Sequence, residues 1–156
     1  MKLSRLNEWL TLTANVGVIA GIIFLAFELQ QNTRMMQAQT RDSVTDKLSE
    51  FLMSVGSNEY ASDIFFRRRA GEFEPGSEDS LNWNSFFFMA MSNMRMWENE
   101  WFQYQAGLFG EDEFAARSST WRTLIRFPGY RSAWQTTRNG YERSFKEFVD
   151  SMIEEN

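Results

Sequence analysis

Residues 83–104 read WNSFFFMAMSNMRMWENEWFQY, and the spacing within them decides the fold of most of the chain. Trp83, Phe87, Ala90, Met94, Trp97, Trp101 and Tyr104 recur at alternating intervals of four and three. That period lines side chains along one face of an α-helix. Phe86, Phe88, Met91 and Phe102 widen the seam. A helix apolar over so much of its circumference belongs at the centre of a bundle. Other helices are therefore expected around it.

Working outward, Ser77 with Glu78 and Asp79 starts this helix well, a capping hydroxyl followed by acids in the positive first turn. The preceding GEFEPG (71–76) is the clearest linker and holds one of only two prolines. Gly107 and Gly110 end the central helix, and Glu111-Asp112-Glu113 opens another that buries Phe114, Trp121, Leu124 and Ile125. Pro128-Gly129 reads as a turn before a short segment with Trp134. Asn139-Gly140 reads as a second turn. The last helix runs from about Tyr141 and buries Phe145, Phe148, Val149 and Met152. Upstream, Val44, Leu48, Phe51, Leu52 and Val55 form an amphipathic stripe that stops at Gly56-Ser57-Asn58. Tyr60, Ile64 and Phe65 then resume it. No segment alternates with period two, so the body is expected to be all-α, a bundle of about five helices.

Residues 9–27, WLTLTANVGVIAGIIFLAF, carry no charge. As a helix they would span about 28 Å, close to the hydrocarbon thickness of a bilayer. Glu8 and Glu28 bracket them, and Trp9 stands where an interfacial aromatic anchors. A cleaved signal peptide would need a small-x-small exit, and Phe24 to Glu28 supplies none. A buried core helix is favoured only by Thr11, Thr13 and Asn15 in the first half. An uncleaved transmembrane anchor fits best, giving a short tail (1–8), a membrane helix (9–29) and a soluble all-α domain (30–156). Within the anchor, Gly17 and Gly21 form a G-x-x-x-G with Ala14 one turn earlier, and Asn15 adds an amide. These four are the candidate helix-pairing residues, because small side chains let two backbones approach in lipid. Lys2 and Arg5 precede the span, while Arg34, Arg41 and Lys47 follow it, a balance that leans toward a cytoplasmic body.

The composition narrows the chemistry. The 156 residues include no cysteine and no histidine. Thiolate and imidazole metal sites, Cys nucleophiles and Ser–His–Asp triads are therefore excluded. The net charge is −5, against the basic face that nucleic-acid binding requires. Arg67-Arg68-Arg69 is the only dense basic run. Its plain reading is a solvated helix face paired with Asp63 and Glu72. Its functional reading is a contact for anionic lipid headgroups or an acidic partner. Glu98, three residues after Arg95, reads as half of an ordinary ion pair. Met89, Met91, Met94 and Met96 alternate with core aromatics and read as packing. No phosphate loop, metal set or cofactor motif emerges, and no residue is assigned a catalytic role.

The string from Leu10 to Ile19, running on through Gly21-Ile22-Ile23-Phe24-Leu25-Ala26 to Glu28, Gln31 and Asn32, resembles a widespread group of uncharacterised bacterial membrane-anchored proteins. FQYQAGL (102–108) and PGYRSAW (128–134) fit the same group. The resemblance implies one helix in the bacterial inner membrane, a helical body, and no known activity. It singles out Asn15, Glu28, Gln31 and Asn32 as polar positions to test. The expectation is a non-catalytic interaction or scaffold protein, its partners being membrane lipid, a second copy or another membrane protein. The alternative is a membrane-tethered domain binding lipid or a small ligand.

Overall fold

The computed structural model of the protein describes residues 2–71 and 80–155. Within them the chain is all-helical, in the order α1 (Lys2–Gly56), α2 (Glu59–Arg69), α3 (Ser80–Gln105), α4 (Glu111–Ile125), α5 (Pro128–Thr137), a 3-10 turn (Arg138–Gly140) and α6 (Arg143–Glu154). Most of the GEFEPG linker, Glu72, and the capping residues Ser77 to Asp79 lie outside the described residues. Two compact units result, 1–39 and 40–156.

The first unit is a bare helix. Its apolar window has a mean hydropathy of 2.1, and none of it is buried inside the chain. Trp9, Ile22 and Phe27 are 68%, 61% and 67% exposed. The hydroxyls that weakened the apolar pattern are turned inward on the backbone. Thr11 Oγ1 donates to the Asn7 carbonyl and Thr13 Oγ1 to the Trp9 carbonyl, each at 2.9 Å. Such back-bonding hides a hydroxyl from its surroundings.

The second unit is built around α3, which touches α2, α4 and α5. Phe86, Ala90 and Met94 are fully buried and Trp97 nearly so. The rings are ordered rather than merely collected. Trp97 is stacked between Trp121 of α4 and Tyr130 of α5, with centroids 5.7 and 5.8 Å away. Farther along α3, Trp101 stacks on Phe148 of α6 at 4.4 Å and Tyr104 on Phe114 of α4 at 4.1 Å. Each offset pair contributes about 1 kcal/mol beyond the area it removes from water.

The termini follow their local chemistry. Gly107, at φ +73, closes α3. The Leu108 amide reaches the Gln103 carbonyl and the Gly107 amide the Tyr104 carbonyl, both at 2.9 Å. This is the pairing that satisfies the last helical carbonyls when a glycine follows in the left-handed region. Asn58 caps α2 through its side chain. Glu142 caps α6, accepting from the Ser144 and Phe145 amides at 2.7 and 3.2 Å. The Ser144 hydroxyl, which also donates to this carboxylate, is the main reason that the Glu142 carboxyl lies below its ordinary range, and the two amides add to it.

Three expectations are corrected. Phe88 and Phe102 are 66% and 44% exposed, so the seam is narrower than the run of rings implied. Leu48 and Leu52 are also exposed, leaving Val44, Phe51 and Val55 to face the body. Pro128-Gly129 is not a free turn but the first turn of α5, since proline at the first helical position loses no hydrogen bond.

Gly129 has a packing reason as well. A Cβ there would collide with the Arg68 carbonyl oxygen of α2, and would lie 3.0 Å from both the Arg69 Cα and a Phe86 ring carbon. Backbone cannot yield as a side chain can, so Gly129→Ala should destabilise the body by about 2 kcal/mol. Thermal unfolding of the full chain checks this, and an unchanged midpoint would refute the close α2–α5 approach.

Candidate functional site

A cleft of about 670 Å³ opens on the second unit between residues 44–54 of α1 and residues 92–100 of α3. Val44, Phe51 and Met96 give it apolar walls; Lys47, Glu50, Ser54, Ser92, Arg95, Asn99 and Glu100 supply polar groups. Its volume falls within the range of small-ligand sites.

Glu100 is the unusual member. It is 5% exposed, although it is a carboxylate. Among the described residues the nearest cation, Arg117 Nη1 on α4, stands 3.7 Å from Oε1, beyond hydrogen-bond reach. Arg117 is committed elsewhere: Nη2 donates to Glu113 Oε1 at 3.2 Å, and the guanidinium lies 4.7 Å from the Phe109 ring centre. Its Nε has no acceptor among the described residues. Glu113 in turn accepts from Arg41 Nε of α1 at 2.9 Å. Burial therefore dominates, pushing the Glu100 carboxyl from an ordinary 4.5 to about 7; Arg117 opposes this and Glu113 adds to it.

This shift has a stability consequence. Between about 4.5 and about 7 the folded chain holds a proton that the unfolded chain has released. Stability therefore falls as pH rises through that window and levels off above it. Relative to Glu100→Gln, the wild-type body should lose about 2 kcal/mol between roughly pH 5 and roughly pH 8. Chemical denaturation at both pH values measures the difference. Parallel pH profiles for the two proteins would refute the buried carboxyl.

The expected Arg95–Glu98 pair is present, with Nη1 2.6 Å from Oε2. It does more than neutralise charge. Arg95 Nη2 donates to the Gly140 carbonyl at 3.0 Å, and its guanidinium lies 4.0 Å from the Tyr141 ring centre. Glu98 Oε1 also accepts from the Glu142 amide at 3.0 Å. The pair thus ties α3 to the start of α6 beside the cleft.

The arginine run separates into three environments. Arg67 is exposed and lies 3.3 Å from Asp63. Arg68 is 3% exposed. Arg69 lies over the Phe66 and Phe127 rings at 4.4 and 4.7 Å. Arg67, Arg68 and Arg69 therefore do not present three cations to one surface.

In the first unit, Ala14, Gly17 and Gly21 fall within about 60° of one another around the helix, whereas Asn15 stands about 100° from Ala14. A Cβ added at Gly17 or Gly21 would meet nothing within 4 Å, so among the described residues nothing covers that stripe. Asn15 is exposed but faces away from that stripe, so it does not share a face with the three small residues.

In sequence, Glu100 stands two residues from Glu98 and so on a different helix face, which gives it no role as a carboxylate pair. Yet Asn93, Trp97, Glu100 and Tyr104 follow one another by four, three and four along α3. A carboxylate in register with a buried aromatic stripe is the signal that locates it.

Comparison with protein-family models, curated proteins and solved structures finds no match to this chain.

Proposed function

We propose that the protein is a single-pass, non-catalytic interaction or scaffold protein of the bacterial inner membrane, with its helical body in the cytoplasm. The observation that carries this reading is the apolar window of α1, with a mean hydropathy of 2.1 and no part buried inside the chain. Water would leave that surface unsatisfied, whereas a bilayer removes it at about 25 cal/mol per Å². The inward-bonded Thr11 and Thr13 hydroxyls are compatible with the same medium. The open Ala14, Gly17 and Gly21 stripe supports pairing with a second copy or another membrane helix.

A transmembrane-association reporter tests the pairing. Gly17→Ile with Gly21→Ile should reduce the signal to that of a monomeric control, because branched side chains hold the backbones apart. An undiminished signal would remove the pairing from this reading. Affinity purification of the tagged chain from native membranes then identifies what it holds.

The cleft between 44–54 and 92–100 favours a second reading, a membrane-tethered domain that binds a small ligand. Its size, its mixed lining and its buried carboxyl are the features that support it.

A further inference from the structure

We propose that the cleft is a binding site for an amphipathic small molecule bearing a protonated amine, with the ammonium seated on Glu100 and the apolar part against Val44, Phe51 and Met96. This rests on the ligand-binding reading above and names its ligand class.

An ionised carboxylate accepts up to about four hydrogen bonds. Glu100 lines the cleft at 5% exposure, and among the described residues its nearest charged donor is 3.7 Å away. A buried carboxylate so poorly paired is costly, and a ligand that brings donors and a positive charge removes that cost. A primary ammonium brings three donors in a compact head.

The other charges at the cleft do not compete for that role. Arg95 is engaged by Glu98, the Gly140 carbonyl and the Tyr141 ring. Lys47 and Glu50 share the exposed rim with opposite sign, so the rim offers no net cationic seat for an anion. Behind Glu100, α4 places Arg117 and Glu113, and α1 places Arg41 on Glu113. With Glu100 ionised that group of four is neutral; with Glu100 protonated it carries one positive charge. The same apolar walls that desolvate the carboxyl would take up a short hydrocarbon chain.

The ligand's charge also predicts a pH signature. An alkylammonium stays protonated near neutrality, whereas the competent, ionised form of Glu100 is a minor species below about 7. Apparent affinity scales with the competent fraction, so binding should tighten about tenfold between roughly pH 6 and roughly pH 8. One proton is released per ligand bound at the acidic end.

The test is calorimetric titration of the purified full chain in mild-detergent micelles with n-hexylamine, n-hexanol and hexanoate. The proposal expects saturable binding of the amine above both congeners, the pH trend above, and loss of the saturable component in Glu100→Gln. Ser92→Trp, an exposed position on the cleft wall, should abolish binding by filling the space while leaving the carboxyl untouched. It keeps the test decisive if Glu100→Gln fails to fold. Equal saturable binding of all three probes would overturn the amine assignment while leaving a ligand cleft. Binding indistinguishable from Ser92→Trp for every probe would overturn both. Competition of n-hexylamine by dihexanoyl phosphatidylethanolamine would support an aminolipid headgroup as the source. Retention of the amine against that lipid would support a free amine.

Discussion

Ile19→Arg together with Ile23→Arg should move the protein out of the alkali-resistant membrane fraction. Both positions lie in the middle of the apolar stretch, at 58% and 52% exposure, with nothing among the described residues to shelter a charge. Each replacement exchanges a residue that favours mid-membrane placement by about 0.5 kcal/mol for one that opposes it by about 3 kcal/mol. Together they cost about 7 kcal/mol, or roughly five orders of magnitude in the insertion equilibrium. Snorkelling cannot rescue two arginines one turn apart near the helix centre. Leu48→Arg with Leu52→Arg provides the control. These positions are also exposed on α1 but lie beyond the apolar window, so membrane retention should not change. If the wild-type chain itself washes off with salt, the anchor is refuted. A mature form lacking the first residues would identify a signal sequence instead. A soluble oligomer would mean that the apolar face is buried between copies.

The helical character of the chain was legible because it rests on spacing. The Trp83 to Tyr104 periodicity names the hub helix, and Ala90, Met94 and Trp97 lie at its buried centre. The stop at Gly56-Ser57-Asn58 was equally readable, since α1 ends at Gly56 and Asn58 supplies the next cap. These are local signals: a period, a breaker and a capping amide act within a few residues of one another.

What depends on a distant partner was not legible. Leu52 and Val55 both belong to the stripe on α1, yet one is 57% exposed and the other 7%. The difference is set by where Phe65 of α2 meets Phe51, ring centres 6.0 Å apart, which no spacing on α1 encodes. The environments within the arginine run were hidden for a related reason. Three adjacent helical residues point about 100° apart, so Arg67 is exposed while Arg68 is buried at 3% exposure. Glu100 was obscured by its neighbour. Glu98 has its partner Arg95 three residues away on the same helix, whereas the cation nearest the perturbed Glu100 carboxyl lies on α4, where no spacing on α3 shows it.

Trp134 extends that contrast into a measurable energy. The sequence assigns it to a short segment between two turns, whereas it is 1% exposed and among the largest fully buried side chains. Its ring meets Tyr141 at 5.1 Å and Phe145 at 5.9 Å, and its Nε1 donates to Asp150 Oδ1 of α6 at 2.8 Å. Arg138 occupies the other oxygen of Asp150, so one carboxylate ties α5, the 3-10 turn and α6 together. Trp134→Ala should therefore cost about 4 kcal/mol, from lost burial and an incompletely collapsed cavity. Trp134→Phe keeps most of the ring and loses the donor, and should cost about 1.5 kcal/mol while Arg138 still serves Asp150. Denaturant unfolding followed by helical circular dichroism gives both values. A cost below about 1 kcal/mol for the alanine variant would mean that α5 is not docked as described. Equal costs would assign the stabilisation to the Asp150 hydrogen bond rather than to packing. The consequence reaches the cleft, because the Gly140 carbonyl that receives Arg95 belongs to the turn which Trp134 and Asp150 hold. Loosening that turn frees the Arg95 guanidinium at the cleft rim. Trp134→Ala should thus weaken n-hexylamine binding even where the body remains folded, and Trp134→Phe should largely preserve it.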